Sequence, residues 1–307
     1  MKLEKTNTTQ KEYSKRFNYL NRIYEEQSGN DWSHNPKLFV EWCFNYALEK
    51  KWAKTTWRVY RAALTNHFKM NGPLEAISIL NSLGSVPKWK NAPKRTSSQK
   101  QKMQPQNDLT KLLKWLKIKN QKYDRLLALW LVAGRITGLR PIEWDSAVLD
   151  NKILTVKNAK ATNGRGLGAH RQILLTNSPD KEVQVVRGFL QLYSEFKTNL
   201  GGHVQTYEGV RKRLLRANKS LFPKRQKKIT LYSARHELSR RMKGAQMRPS
   251  EIAAILGHKT TETMARNYAR KPRIETIAPT IKAPESKIQT VIVKDKKYQP
   301  KQTPTKN

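Results

Sequence analysis

Between residues 86 and 107 (VPKWKNAPKRTSSQKQKMQPQN) the apolar periodicity that marks packed elements vanishes, and Pro, Ser, Gln and Lys dominate. Such a stretch has no apolar face to bury, so it separates whatever folds on either side of it. The expected organisation is a helical domain over 12–86, a basic linker over 87–107, a second domain over 108–275 and a basic C-terminal tail over 276–307. A chain of 307 residues is long enough for two domains of ordinary size.

In the first domain Leu38, Phe39, Trp42, Cys43, Tyr46 and Ala47 recur at spacings of three and four, the pattern of an amphipathic helix. The next helix, KTTWRVYRAALTNHFKMNG, is expected to start at a Thr55 or Thr56 cap and to stop at Gly72. Trp57, Tyr60, Ala63, Leu64 and His67 share one face of it, as core residues do. Lys54, Arg58, Arg61 and Lys69 sit on its other faces, a solvated surface or one suited to phosphates.

In the second domain Asp108 is expected to cap LTKLLKWLK, and DRLLALWLVAGRITG is apolar enough for a buried helix ending near Gly138. WDSAVLD is a candidate strand. KILTVK and RQILLT flank NAKATNGRGLGAH, whose glycines suit a hairpin turn. Helical patterns follow at 180–197 and 205–217, then short helices from Thr230 to Arg270, punctuated by Gly244, Pro249 and Gly257. The tail holds one β-prone run, IQTVIV, and is otherwise expected to be disordered when alone. The expected fold class is mainly α with a small β-sheet.

Charge narrows the partners. The chain carries 61 Lys+Arg against 23 Asp+Glu, a net +38 spread over its whole length. A protein this basic repels itself, so a polyanion is expected, and double-stranded DNA fits because each neutralised phosphate releases counterions. A basic ribosomal or chromatin-type protein without chemistry satisfies the same composition. Cys43 is the only cysteine, which rules out an intramolecular disulfide and a cysteine-and-histidine zinc finger. The N-terminus has no apolar run of a signal peptide, and no stretch of about 18 apolar residues exists to span a membrane. A cytoplasmic protein is expected.

Three separated segments carry residues suited to chemistry. In ITGLRPIEW, Gly138 ends a helix, Pro141 opens the next, and Arg140 stands at the turn with Glu143 three residues on. In LYSARHELSRRM, Tyr232 and Arg235 lie one helical turn apart. LGHKTTETMARNYAR supplies His258 after Gly257, and then Tyr268. Taken singly, each is as well explained by packing. In this order and at these separations they resemble the catalytic domain of the tyrosine recombinase, or phage integrase, family over roughly residues 108–270. The helical region before it, with its TTWRVY run, resembles that family's core-binding domain less specifically.

The resemblance implies a helical core-binding domain joined to an α+β catalytic domain that cuts and rejoins DNA through a 3′-phosphotyrosine on Tyr268. It assigns Arg140 and Arg235 to the two non-bridging phosphate oxygens, which permanently charged guanidinium forks match. Glu143 would hold Arg140, and His258 would be a further donor. A lysine of the hairpin would protonate the leaving 5′-oxygen, Lys160 by position, with Lys157 as its competitor. The family's usual His is replaced by Tyr232, a poor base near pH 7. His236, about 100° around the helix from Arg235, would support the site from behind. No nucleotide or metal motif is present, so neither metal nor cofactor is expected. A homotetramer on DNA is implied, with accessory DNA-bending or directionality factors as further partners. A type IB topoisomerase shares this chemistry, and a non-catalytic DNA-binding protein could retain the fold.

Overall fold

The computed structural model describes residues 7–87, 100–159, 161, 166–262 and 278–294. The chain divides into two compact units, Met1–Arg95 and Thr96–Asn307. Most of the described residues are helical, and the only named sheet among them has three strands, as the sequence pattern predicts.

The first unit contains α1 (Asn7–Ser28), α2 (Pro36–Glu49), α3 (Lys54–Asn71) and α4 (Leu74–Ser82). Pro36 suits the first turn of α2 because its missing N–H has no partner there anyway, and the Asn35 side chain accepts from Leu38 N–H at 2.9 Å. The core is aromatic: Phe17, Tyr24, Phe39, Trp57 and Phe68 are buried with Leu20, Leu64 and Leu80. The stripe on α3 is indeed core at Trp57, Ala63 and Leu64. Its start is not a threonine cap. The helix begins at Lys54 after Ala53, whose carbonyl accepts from Thr56 N–H at 2.8 Å, and both threonines lie inside the first turn.

The second unit contains α5 (Gln106–Lys119), α6 (Asp124–Thr137), a 3-10 turn (Pro141–Ser146), β1 (Val148–Asp150), β2 (Ile153–Lys157), β3 (His170–Leu174), α7 (Asp180–Leu200), α8 (His203–Leu221), α9 (Ser233–Gly244), α10 (Pro249–Ile255) and α11 (Glu285–Gln289). Helix α6 is buried along Leu126, Leu127, Trp130, Leu131 and Ala133, as its apolar sequence requires. The strands pair antiparallel in the order β1-β2-β3, with Leu154 opposite Ile173 and Val156 opposite Arg171. Leu154, Val156 and Ile173 are the fully buried row, so Arg171 joins the core-facing side.

Four expectations change here. Asp108 does not cap α5; the helix starts at Gln106, and the Asp108 carboxylate takes a two-point bond from Arg225 at 2.7 and 3.0 Å. Residues 100–105 are not a free linker. Gln101 N–H bonds Lys228 O at 2.8 Å, Ser233 Oγ donates to Gln101 O at 2.6 Å, and Gln104 is fully buried. The WDSAVLD strand shrinks to Val148–Asp150, because Pro141 starts a 3-10 turn that keeps Trp144 to Ser146. Finally, residues 278–294 are ordered against their own unit. Ile281, Ile288 and Val291 join its core, and Leu174 and Lys282 exchange backbone bonds at 2.9 and 3.0 Å. Helix α11 claims the start of IQTVIV, and of that run only Ile292 bridges a neighbouring backbone, at Thr260.

Candidate active site

Helix α6 stops at Gly138, whose φ of 66° turns the chain out of the helix, and two residues later Arg140 faces Glu143 across the start of the 3-10 turn. The two residues grip each other twice. Arg140 N–H donates to Glu143 Oε2 at 2.8 Å, and Arg140 Nη1 donates to Glu143 Oε1 at 2.5 Å. Pro141 fixes the backbone between them, so a guanidinium beside a helix end becomes a held one.

Arg235 comes from the first turn of α9 and is completely buried. Its Nη1 donates to Gly138 O at 2.7 Å and lies 3.8 Å from Glu143 Oε2. Its Nη2 donates to Leu256 O at 2.5 Å and lies 3.3 Å from His258 Nε2. An arginine only donates, so His258 Nε2 is the acceptor and the ring proton belongs on Nδ1. His258 follows Gly257, which adopts a φ of 66°, and its N–H returns to Ala253 O at 2.8 Å. Burial, and then the charges of Arg235, Arg140 and Arg171, push the His258 imidazole down to about 2, so the ring is neutral at working pH.

The residue missing from the sequence reading is Arg171. Its Nη1 and Nη2 donate to Glu143 Oε1 and Oε2 at 3.1 and 2.7 Å, its Nη1 also bonds Asn158 Oδ1, and its Nε donates to Ile255 O at 3.0 Å. The available signal was the alternation in HRQIL: Arg171 shares the inward row with Ile173, and a charge in a core row demands a partner. Asn158 was missed as well. Its amide donates to Leu167 O and Gly168 O at 2.9 and 3.0 Å, closing the hairpin's return strand.

Glu143 therefore stands among three arginines. Burial alone would raise its carboxyl, but Arg171, Arg235 and Arg140 outweigh that and hold it well below the usual carboxylate range. Three guanidiniums against one carboxylate leave a net charge of +2 in a buried cluster. Arg140 Nε is buried and has no hydrogen-bond partner among the described residues. An arrangement with surplus positive charge and an unsatisfied charged donor suits an anion.

The remaining candidates are placed as follows. Tyr232 precedes α9, and its ring packs edge-on against His236 with centroids 5.2 Å apart. Burial, then Lys102, Arg235 and Lys243, push His236 down to about 4. Lys157 is exposed on the face of β2 opposite Val156 and Asn158. Lys160 and Tyr268 lie outside the described residues; Ala159, beside the former, donates its N–H to Glu143 Oε1 at 3.4 Å. In the first unit Lys54 and Arg58 are exposed on α3. Arg61 is instead tied to its own unit, donating to Asn81 Oδ1 at 2.8 Å and Gly84 O at 3.3 Å. No cluster of three or more metal-ligating side chains occurs among the described residues, and none of their helices is long and apolar enough to cross a membrane.

The chain is similar to known proteins in fold and in family pattern. The solved lambda integrase tetramer bound to a Holliday junction is 14% identical, with 88% of this chain and 75% of that chain covered and a TM-score of 0.54. The Tn1549 transposon integrase in complex with transposon right end DNA is 16% identical, with 88% and 91% covered and a TM-score of 0.50. At these identities the likeness is one of fold. No curated protein matches the chain. The model of the phage integrase family matches residues 102–273, which include all three motif segments, brought together around Arg235 through Gly138 O, Leu256 O and His258. That match covers more than half of the sequence, and the chain belongs to the phage integrase family.

Proposed function

We propose that this family member is a site-specific tyrosine recombinase that cuts and rejoins duplex DNA at the Arg140–Arg235–His258 cluster, with Tyr268 as nucleophile. The observation that carries this reading is the buried +2 cluster, with Arg140 Nε unpartnered among the described residues. A scissile phosphate brings the missing negative charge, and more of it develops on the non-bridging oxygens as the reaction proceeds. Donors already fixed before the reaction stabilise that growth without reorganising, which makes each worth about 10²–10³ in rate.

The Tyr268 phenol gives up its proton to water or to the phosphate itself as its oxygen attacks phosphorus, the bond from phosphorus to the 5′-oxygen breaks, and the protein is joined to the 3′-phosphate. Lys160 gives its proton to the departing 5′-oxygen. Lys157, on the exposed face of β2, is the poorer candidate, while residue 160 follows an alanine bonded to Glu143. His258, neutral and protonated at Nδ1, is a donor to the phosphate, not a general acid. A 5′-hydroxyl then attacks the phosphotyrosine, which reseals the strand and restores the phenol. Bond energy is kept in the intermediate, so the step requires no nucleotide cofactor. Tyr232 would add one neutral hydrogen bond to the phosphate, and His236 would support the first turn of α9.

Lys54 and Arg58 are candidate contacts to the DNA backbone, whereas Arg61 serves the α3–α4 packing first. The lambda integrase comparison is a tetramer on a Holliday junction, and we extend that assembly, acting on cytoplasmic DNA with accessory factors, to this chain. The test is a nicked suicide duplex that loses its 5′-hydroxyl strand on cleavage. The chain should accumulate as a covalent protein–DNA adduct, and a chain that binds such duplexes without ever forming one would be a DNA-binding protein only.

A further inference from the structure

We propose that Arg171 is a positioning residue of this site: from β3 it locks together Glu143, which holds Arg140, the foot of the hairpin at Asn158, and the end of α10 that leads into His258. The proposal rests on the recombinase reading above, which assigns Arg171 no role. Its guanidinium makes a fork to both oxygens of Glu143, the residue that holds Arg140 through its N–H and Nη1. The same side chain bonds Asn158 at the foot of the hairpin, two residues before Lys160. Its Nε takes the Ile255 carbonyl at the end of α10, three residues before His258.

The geometry at Gly257 tightens the last link. A Cβ there would stand 2.9 Å from Arg171 Nη1 and 2.6 Å from Asn158 Oδ1, so the turn into His258 closes directly onto the arginine. Gly166, on the returning hairpin strand, in turn bridges the His258 backbone. Arg171 thus touches Glu143, Asn158 and the Ile255 carbonyl together, and β3 holds it in register with Val156.

A simpler account is that Arg171 only neutralises a buried glutamate. The two accounts differ in what its loss does to Arg235, whose Nη1 is 3.8 Å from Glu143 Oε2. With the fork gone, the carboxylate has lost two of its donors and draws the phosphate-binding guanidiniums toward itself, so it competes with the phosphate. Lysine restores the charge but not the fork or the Nε bond, because it is a single point donor on a flexible stem. Charge balance alone predicts that lysine suffices; positioning predicts that it does not.

The test uses the full-length chain, Arg171→Lys and Arg171→Gln on nicked suicide duplexes tiled across the DNA flanking the gene. Each duplex is made with a normal phosphodiester or with a methylphosphonate at the cleaved position. The methylphosphonate lacks one of the negative charges that the arginines must meet. On phosphodiester, Arg171→Lys should cleave about 10- to 100-fold more slowly, the scale on which outlying supports of a reacting group act. Duplex affinity should stay within about threefold, since phosphate contacts elsewhere dominate binding. On methylphosphonate the penalty should shrink to a few-fold. Taking the ratio of the two rates within one preparation cancels the folded fraction, so a poorly folding variant still reports. An equal penalty on both substrates, or no penalty for lysine, overturns the proposal. Absence of any adduct from the unaltered chain overturns the recombinase reading, and the proposal with it.

Discussion

At His258 burial, not protonation, sets the chemistry. The ring feels the charge of three guanidiniums, its Nε2 faces Arg235 and its proton belongs on Nδ1. The unfolded chain binds a proton on this histidine below about pH 6.5, whereas the folded one does so only near pH 2. Between those values the unfolded state holds more protons, so stability rises with pH through the window and is fully present above it. The slope is at most about 1.4 kcal/mol per pH unit for one such group. Chemical unfolding followed from pH 5 to 7 should therefore show a shallower pH dependence in His258→Asn than in the unaltered chain. Identical slopes would mean that the ring is solvated and titrates normally. That Arg140, Glu143, Arg235 and His258 stand out was legible in three short motifs, and Arg140, Glu143 and His258 lie beside a glycine or proline that fixes the turn, whereas their roles are what the family resemblance implies. Arg171 was not legible in that way. The only local mark is the alternation in HRQIL, and pairing β3 with β2 is what shows that its row faces the core.

At the scale of elements, periodicity located the long helices and the β2–β3 hairpin, because burying one face leaves a repeat in the sequence. Ends were less legible. Threonines and Asp108 suggested caps, yet backbone carbonyls of Ala53 and Pro105 close those turns, and Asp108 is drawn to Arg225 by a charge 117 residues away in sequence. The C-terminal segment misled for a related reason. Its few apolar residues look too sparse to fold, but Ile281, Ile288 and Val291 need only fill gaps in a core already built by others. Cutting the chain after residue 277 should remove that filling and unpair the Leu174 edge. At about 1.5–3 kcal/mol for each large apolar side chain buried, the loss should reach several kcal/mol. Thermal unfolding should show the second unit melting well below its position in the full chain. An unshifted melt would return residues 278–294 to the status of a loose tail.

At the scale of the molecule, the +38 charge said more about partner than about fold, because it constrains the field and not the packing. Phosphate contacts of a DNA-binding protein release counterions, so log affinity should fall linearly with log salt, with a slope near −0.9 per phosphate neutralised on B-DNA. Titration of a labelled duplex between about 50 and 200 mM salt should weaken binding by orders of magnitude for six or more contacts. A nearly flat dependence would confine contact to a few phosphates. The chain divides into two compact units, and residues 100–105, which composition alone assigns to a basic linker, pack within the second of them. Whether the whole assembly performs strand exchange comes down to one bond. The most direct measurement is to trap the suicide-substrate adduct, digest it with protease and nuclease, and locate the nucleotide-bearing residue by mass spectrometry. The nucleotide should be on Tyr268, and Tyr268→Phe should bind the duplex and form no adduct. A nucleotide on Tyr232, or an adduct that survives Tyr268→Phe, would contradict the assignment of the nucleophile.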